Sequence, residues 1–309
     1  MIITVTLNPA LDKSIVIPGF TVNTVNRTQQ TQLDPGGKGI NVSKTVHALG
    51  GKTLAMGILG GASGGYIKSV LDRMEVPNAF TLCGNATRTN LKIHDPILGT
   101  TTDINEAGSP AEPAVLEQVW ETLNETAKPG DLVVFAGKNP PETEDGLLAQ
   151  WVKALRSRGV YTAVDTVGRP MELALQQCPE IIKPNLDELS QLLGRPAATP
   201  QEAAAAALSF VKDGVRLAVV SMGSKGAVFA SKDGVIYGRA PKVQVTGTTG
   251  AGDAMMAALC CCFLGGDTLE QTARCALAVS AAAVMQLGTK PIRPQMVQPL
   301  LEQVVLESV

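Results

Sequence analysis

The feature that most constrains this chain is a repeated order, in which a short apolar or β-branched run is followed by a stretch of helical length. Leu54 to Leu59 precedes a helix predicted from Gly65 to Met74, and Asp131 to Ala136 precedes Thr143 to Arg158. Tyr161 to Asp165 precedes Pro170 to Gln177, and Ile181-Ile182 leads through Lys183-Pro184 into a helix near Asp187 to Leu193. The Ala-rich stretch Pro200 to Asp213 is followed by an apolar run, Arg216 to Ser221. Alternation of this kind predicts an α/β fold, a mostly parallel sheet covered by helices. A first strand is expected at Ile2 to Leu7. Three helices are expected to close the chain: Gly250 to Leu264, Thr268 to Leu287 and Arg293 to Leu306.

Two segments break the pattern, about 12–34 and 84–106. They carry short alternating runs (Thr28 to Leu33, Arg88 to Ile93, Thr100 to Ile104) interrupted by Pro, Gly and Asn. Such runs predict small antiparallel strands inserted into the larger unit. No low-complexity linker or solenoid repeat divides the chain. We therefore read 1–309 as one domain with a discontinuous β-insertion.

Composition narrows the function. Aromatic residues are only 4% of the chain and Gly numbers 31, which favours tight helix–sheet packing and Gly-rich loops. A formal net charge of -2 gives no footprint for nucleic acid or an anionic membrane, so neither is an expected partner. The start, MIITVTLNPALDKS, lacks the basic and long apolar regions of a signal peptide, and no run reaches the roughly 18 apolar residues of a membrane span. A cytoplasmic protein is expected. The six cysteines show no CxxC spacing and read as small hydrophobes in a reducing compartment. With two histidines, His47 and His94, neither in a ligand pattern, a zinc site or a His-based triad is improbable.

Four motifs bear on chemistry. The first is Gly247-Thr248-Thr249-Gly250-Ala251-Gly252-Asp253, followed by Ala254 to Ala258. A Gly-rich turn opening a helix leaves backbone N–H groups free at its positive end, which makes an anion site. Asp253 there is placed to take a proton from an attacking hydroxyl; its bland alternative is a helix-capping residue. The second is Gly36-Gly37-Lys38-Gly39-Ile40-Asn41, whose glycines admit a ligand and whose Lys38 brings a cation, or which simply caps the helix Ile40 to Leu49. Its spacing is not that of a Walker A loop. The third is Lys183-Pro184-Asn185-Leu186-Asp187-Glu188, in which Asn185 and Glu188 share a helical face. They fit the water shell of Mg²⁺, and equally a capping box. The fourth, Ser221-Met222-Gly223-Ser224-Lys225-Gly226, is a nucleotide-contacting turn or a hairpin loop.

In this order the motifs resemble the ribokinase-like sugar kinases of the PfkB family, from about Ile2 to Leu287. The resemblance implies a ribokinase-like three-layer sandwich with a small β-sheet lid, the lid often serving also as a homodimer surface. It implies ATP as co-substrate with Mg²⁺. It implies Asp253 as catalytic base, with Gly250, Ala251 and Gly252 as the anion hole. Lys183, Asn185, Ser221, Gly223, Ser224, Lys225 and Gly226 would meet the nucleotide, and Asn185 and Glu188 the metal. Asp12, Gly37, Lys38 and Asn41 would hold the sugar.

The acceptor is read from further likeness. Asn8-Pro9-Ala10-Leu11-Asp12, Val25-Asn26-Arg27, Arg88-Thr89-Asn90-Leu91-Lys92 and Thr102-Asp103-Ile104-Asn105 resemble the 1-phosphofructokinase and tagatose-6-phosphate kinase branch. Arg27, Lys38, Arg88 and Lys92 supply cations suited to a sugar phosphate. Fructose 1-phosphate, converted to fructose 1,6-bisphosphate, is the expected acceptor, with tagatose 6-phosphate second. A silent sugar-phosphate sensor on the same fold is the reading from another class. Two departures stand out: Lys138, in Ala136-Gly137-Lys138-Asn139-Pro140, replaces a serine of the family pattern that commonly touches substrate, and is a substrate-binding candidate that either adds a cation to the acceptor phosphate or snorkels to solvent. Gly247 replaces an Asp associated in ribokinases with monovalent-cation binding.

Overall fold

Ile2–Thr6 is apolar or β-branched at every position and buried on both faces, the pattern of a central strand. The computed structural model describes residues 1–286 and 288–309. After this strand, β1, come β2 (Ala10–Val16), β3 (Gln30–Gly36), α1 (Lys38–Ala48), β4 (Thr53–Gly60), α2 (Gly61–Arg73) and β5 (Asn78–Cys83). Next follow β6 (Arg88–Asp95), β7 (Thr100–Asn105), α3 (Pro113–Thr126), β8 (Leu132–Ala136), α4 (Leu147–Ser157) and β9 (Tyr161–Asp165). The chain continues through α5 (Arg169–Leu175), β10 (Ile181–Ile182), α6 (Leu186–Leu193), α7 (Pro200–Lys212), β11 (Leu217–Ser221), β12 (Ala227–Ser231) and β13 (Gly234–Arg239). It closes with α8 (Ala251–Gly265), α9 (Leu269–Val284), α10 (Pro294–Leu301) and β14 (Val305–Ser308).

The large sheet runs in the order β14-β13-β12-β11-β10-β9-β8-β1-β4-β5. It is parallel from β11 to β5 and antiparallel from β11 to β14. Alternate side chains of each strand feed two cores. Ile2, Leu132, Val134 and Ala163 meet α1, α8, α9 and α10 on one face. Ile3, Val5, Val133, Phe135 and Val164 meet α3, α4, α5 and α7 on the other. Helix α8 is apolar all round because it lies between the sheet, α1 and α9. Its Cys260 and Cys262 are buried there as small apolar residues.

The chain leaves β1 for β4 and β5 in one direction and returns to β8, β9, β10 and β11 in the other. The β1–β8 boundary is thus a topological switch point, and a crevice opens beyond the carboxyl ends of those strands. A second sheet, β3-β2-β6-β7, is built from residues 10–36 and 88–105. Its β2–β3 and β6–β7 pairs are antiparallel as expected of hairpins, but the two hairpins join through a parallel β2–β6 pair, which the sequence reading of antiparallel strands did not foresee. No helix among the described residues is long and apolar enough to cross a membrane.

Several boundaries differ from the sequence reading. The helix expected from Thr143 begins at Leu147, after a run of turns. The segment expected to be helical to Leu306 stops at Leu301, just beyond Pro299, and the β-branched Val304-Val305 leads into an edge strand on β13. An Arg239–Glu307 ion pair of 2.6 Å joins those two strands. The expected end of the preceding helix, Leu287, lies outside the described residues; α9 itself ends at Val284.

Candidate active site

Helix α8 starts at Ala251 on a left-handed Gly250 (φ +82), a conformation that glycine adopts without strain. The amides of Gly250, Gly252 and Asp253 have no acceptor among the described residues, and Ala251 N–H reaches only Thr248 O at 3.4 Å. These free donors and the helix dipole give the segment the capacity to hold an anion, the candidate site read from the motif. Asp253 follows immediately and is 8% exposed. Asn41 Nδ2, on α1, donates to Asp253 Oδ2 at 2.8 Å. Motifs about 210 residues apart in sequence therefore meet at one carboxylate.

The approach of α1 depends on glycine. Gly37 has φ +114, and a Cβ there would come within 2.8 Å of Thr6 Cγ2 at the end of β1. Lys38 opens the helix and pairs with Asp165 at 2.8 Å and with Glu188 at 3.6 Å. Lys183 pairs with the other Asp165 oxygen at 3.2 Å. Burial works against the Lys38 ammonium, but Asp165 and Glu188 outweigh it and raise its pKa. Burial likewise opposes ionisation of Asp165, yet Lys183 and Lys38 hold its carboxyl below the usual range. For Asp253 burial wins. Desolvation, helped by the nearby Asp165 charge, pushes its pKa up against Lys38, Asn41 and Lys183. A raised carboxylate makes a stronger base than an ordinary aspartate.

Asp165 was absent from the sequence-based candidates. No motif surrounds it, and the one available signal was an Asp closing a buried strand at the sheet's carboxyl edge, where ligands sit.

Asn185 and Glu188 form a complete capping box: Glu188 N–H donates to Asn185 Oδ1 and Asn185 N–H to Glu188 Oε2, both at 2.9 Å. The structural alternative for this motif is thus realised, while Glu188 Oε1 still faces Lys38. A bridge between Asn185 and Ser221, with Ser221 N–H on Pro184 O at 3.0 Å, seats this segment beside the fourth motif. That motif is a hairpin turn and also lines a cavity of about 450 Å³. Ser221, Gly223, Ser224 and Gly226 form one wall, and Val243, Met255, Leu277 and Val284 make an apolar slot. Thr248, Ala251 and Gly252 form its inner end, so the cavity opens onto the anion site. Lys225 is exposed and does not line this cavity, and its carbonyl accepts from Tyr237 Oη at 2.6 Å.

On the other side of Asp253 stands the small sheet. Asn90 Nδ2 donates to Asp12 Oδ1 at 2.9 Å, and Arg88 donates to Asn90 Oδ1 at 3.1 Å and to Glu106 O at 2.8 Å. Burial lowers the Arg88 pKa against the pull of Asp12 and Glu106. Arg27 lies apart, exposed in the loop that joins β2 to β3. Lys138 is exposed beyond β8 and makes no ion pair among the described residues, although its neighbour Gly137 faces Lys38. Asn41 thus contacts Asp253 directly, and Lys38, Lys183, Asp165 and Glu188 form a charged cluster that acts on it. Asp12, Asn90 and Arg88 form a second hydrogen-bonded group on the small sheet, and Arg27, Lys138 and Lys225 are exposed.

Buried polar atoms without partners mark the same place. Thr6 Oγ1, Asn41 Oδ1, Arg88 Nε, Asn139 Nδ2 and Thr166 Oγ1 are all unpaired near the carboxyl ends of β1, β8 and β9. Groups of this kind are costly unless a ligand meets them. No cluster of three His, Cys, Asp or Glu among the described residues would hold a metal unaided. Glu188 Oε1 is the carboxylate oxygen that the capping box leaves free of backbone amides, and it could accept from the water shell of a Mg²⁺ ion.

A buried carboxylate at an anion hole, with an apolar cavity on one side and a polar sheet on the other, defines a phosphotransferase of the sugar-kinase kind. Residues 5–296 match the pfkB family of carbohydrate kinases, and the chain belongs to that family. It is 35% identical over 308 residues to a 1-phosphofructokinase of Rhodobacter capsulatus, covering 99% of this chain and 98% of that one. It is 31% identical over 309 residues to a tagatose-6-phosphate kinase of Staphylococcus epidermidis, covering 98% of each. Among solved structures it is similar to Escherichia coli phosphofructokinase-2 in complex with substrates and products. The TM-score is 0.93 at 30% identity, over 97% of this chain and 98% of that one. Sugar kinases of this family use ATP as co-substrate.

Proposed function

We propose that this protein transfers the γ-phosphoryl group of ATP to the 6-hydroxyl of fructose 1-phosphate, giving fructose 1,6-bisphosphate and ADP. The observation that carries the reading is the pairing of Asn41 with Asp253 at the anion site. Asn41 fixes one carboxylate oxygen and leaves Oδ1 for the acceptor hydroxyl. Its own Oδ1 is unpaired and available to a second sugar hydroxyl.

The adenosine end of ATP fills the apolar slot, and its phosphates reach the amides of Gly250, Ala251 and Gly252. The acceptor hydroxyl gives its proton to Asp253 as its oxygen bonds to the γ-phosphorus, while the bond from that phosphorus to the ADP oxygen breaks. Charge spreading over the transferred oxygens is met by the free amides and by Lys38 and Lys183. Mg²⁺, held through water by Asn185 and Glu188 beside Asp165, would neutralise phosphate charge when bound. The small sheet acts as the lid, where Asp12 and Asn90 meet sugar hydroxyls and Arg88 and Lys92 serve the existing phosphate, while Arg27 stands too far out in the loop between β2 and β3 to take part. Its exposed Leu33, Ile97, Leu98 and Ile104 support a homodimer through this sheet.

A coupled ADP-release assay tests the reading with fructose 1-phosphate, tagatose 6-phosphate, fructose 6-phosphate and unphosphorylated fructose. The reading expects fructose 1-phosphate to give the highest kcat/KM. A preference for fructose itself would overturn the phosphate requirement, and a preference for tagatose 6-phosphate would move the assignment within the family.

A further inference from the structure

Lys44 is one of the most buried charged residues in the protein, 2% exposed, and no motif singles it out. It lies on α1 three residues after Asn41, one turn from the contact with Asp253. Its ammonium has three N–H donors. They go to Pro35 O at 2.8 Å, Thr289 O at 2.7 Å and Thr289 Oγ1 at 3.0 Å. All three acceptors are uncharged, so the cation is held by geometry.

The acceptors belong to two segments far apart in sequence. Pro35 is near the end of β3, where the small sheet joins the Gly36-Gly37 turn. Thr289 lies after α9 and packs on the anion site: a Cβ on Gly250 would meet Thr289 Cγ2 at 3.4 Å. Next to Thr289, Gly288 is pressed against β3, since a Cβ there would fall 2.3 Å from Asp34 Oδ2 and 2.8 Å from Gln32 Nε2. One ammonium therefore joins the base of the lid, the helix carrying Lys38 and Asn41, and the segment that backs the first glycine of the anion hole.

We propose that Lys44 is a positioning residue that couples the seating of the lid to the alignment of the anion-hole amides. The inference rests on the phosphotransfer reading and adds a residue to it. When β3 settles over the acceptor, Pro35 carries the ammonium with it, and Thr289 follows against Gly250. A lid held off the site would leave the anion hole without this support. Burial lowers the Lys44 pKa to about 8, opposed by Asp34 of β3, Asp12 of β2 and Asp253 of α8. The clip is charged below that value, and it loses its charge and one donor as pH rises through it.

The test is Lys44→Met, checked first for cooperative thermal unfolding, with kcat, KM for ATP and amide exchange measured on the intact protein. Loss of hydrogen bonds from a charged group predicts a fall in kcat of about 10- to 100-fold with little change in KM for ATP. Exchange should quicken in both 30–36 and 288–292. The wild-type kcat should fall as pH rises through about 8, and the Met variant should lack that limb. A folded variant with near-wild-type kcat, with faster exchange in α1 alone, or with the alkaline limb retained would overturn the proposal. If Lys44→Met does not fold, Lys44→Gln carries the test, since its amide keeps a hydrogen-bond donor without the charge and leaves the direct contact of Thr289 Oγ1 with Pro35 O at 3.4 Å in place. Faster exchange in both segments supports the clip, and a change confined to 288–292 contradicts it. Exchange is read without acceptor, so an inactive wild type on fructose 1-phosphate would count against the proposed function alone.

Discussion

Strands β1 and β7 are nearly the same length and share almost no other property. All of Ile2–Thr6 is buried, while all of Thr100–Asn105 is exposed. The first belongs to a sheet packed on both faces, the second to a sheet with one face toward the crevice and apolar side chains on its rim. In the proposed reaction the body would supply the fixed carboxylate, the amides and the slot for the nucleotide, because transferring a phosphoryl group requires groups that do not relax. The small sheet supplies Asp12, Asn90 and Arg88, groups suited to choosing an acceptor. On the proposed function, chemistry and selection would be divided between the packed body and the exposed sheet.

The largest expected effect lies in the body. Asp253→Asn should reduce turnover by roughly 10²–10⁴-fold or more, as loss of a positioned base does. Its effect on stability should run the other way. The raised Asp253 pKa means that the folded state holds this proton more tightly than the unfolded state. Ionised Asp253 therefore costs stability above its folded pKa, and the cost disappears as pH falls below the unfolded value. The Asn variant should melt at or above the wild-type temperature at neutral pH, and a markedly lower Tm would contradict the burial argument. In the wild type, kcat should fall on the acid side at a pH above that of an ordinary aspartate.

Stability offers the next contrast. Phe229→Ala, in a fully buried side chain of β12, should cost about 3–5 kcal/mol. Ile104→Ser, on the exposed β7, should change monomer stability by about 0.5 kcal/mol or less. Equal losses by denaturant unfolding would mean that the small sheet is as much a part of the core as β12. A loss for Ile104→Ser that grows with protein concentration would point to the lid interface.

What the sequence revealed divides along the same line. The runs Ile2 to Leu7 and Leu132 to Ala136 are buried on two faces, so composition alone marks them, and glycine spacing marks the start of α8. Asp165 and Lys44 are single charged residues whose meaning comes from what the fold brings to them. Lys38 and Lys183 reach Asp165 from positions 127 residues upstream and 18 downstream. Strand β14 was hidden for a related reason. Val304-Val305 follows a helix, and only the free edge of β13 decides that the tail extends.

The smallest expected effect concerns Lys138. It is exposed and unpaired, so Lys138→Ser should leave KM for ATP unchanged and alter KM for the sugar phosphate by no more than about twofold. A larger rise that depends on acceptor charge would show that Lys138 turns inward when substrate binds.

The division between body and lid is tested most directly by Arg88→Ala, with kcat/KM measured for fructose 1-phosphate and for fructose in parallel. If the lid reads the phosphate and the body performs the transfer, the phosphorylated acceptor loses about 10- to 100-fold, the worth of a charge-assisted contact. Fructose and ATP should keep their wild-type constants. An equal fall for both acceptors would contradict the account, because Arg88 would then be holding the site together through Asn90 and Asp12 rather than selecting what enters it.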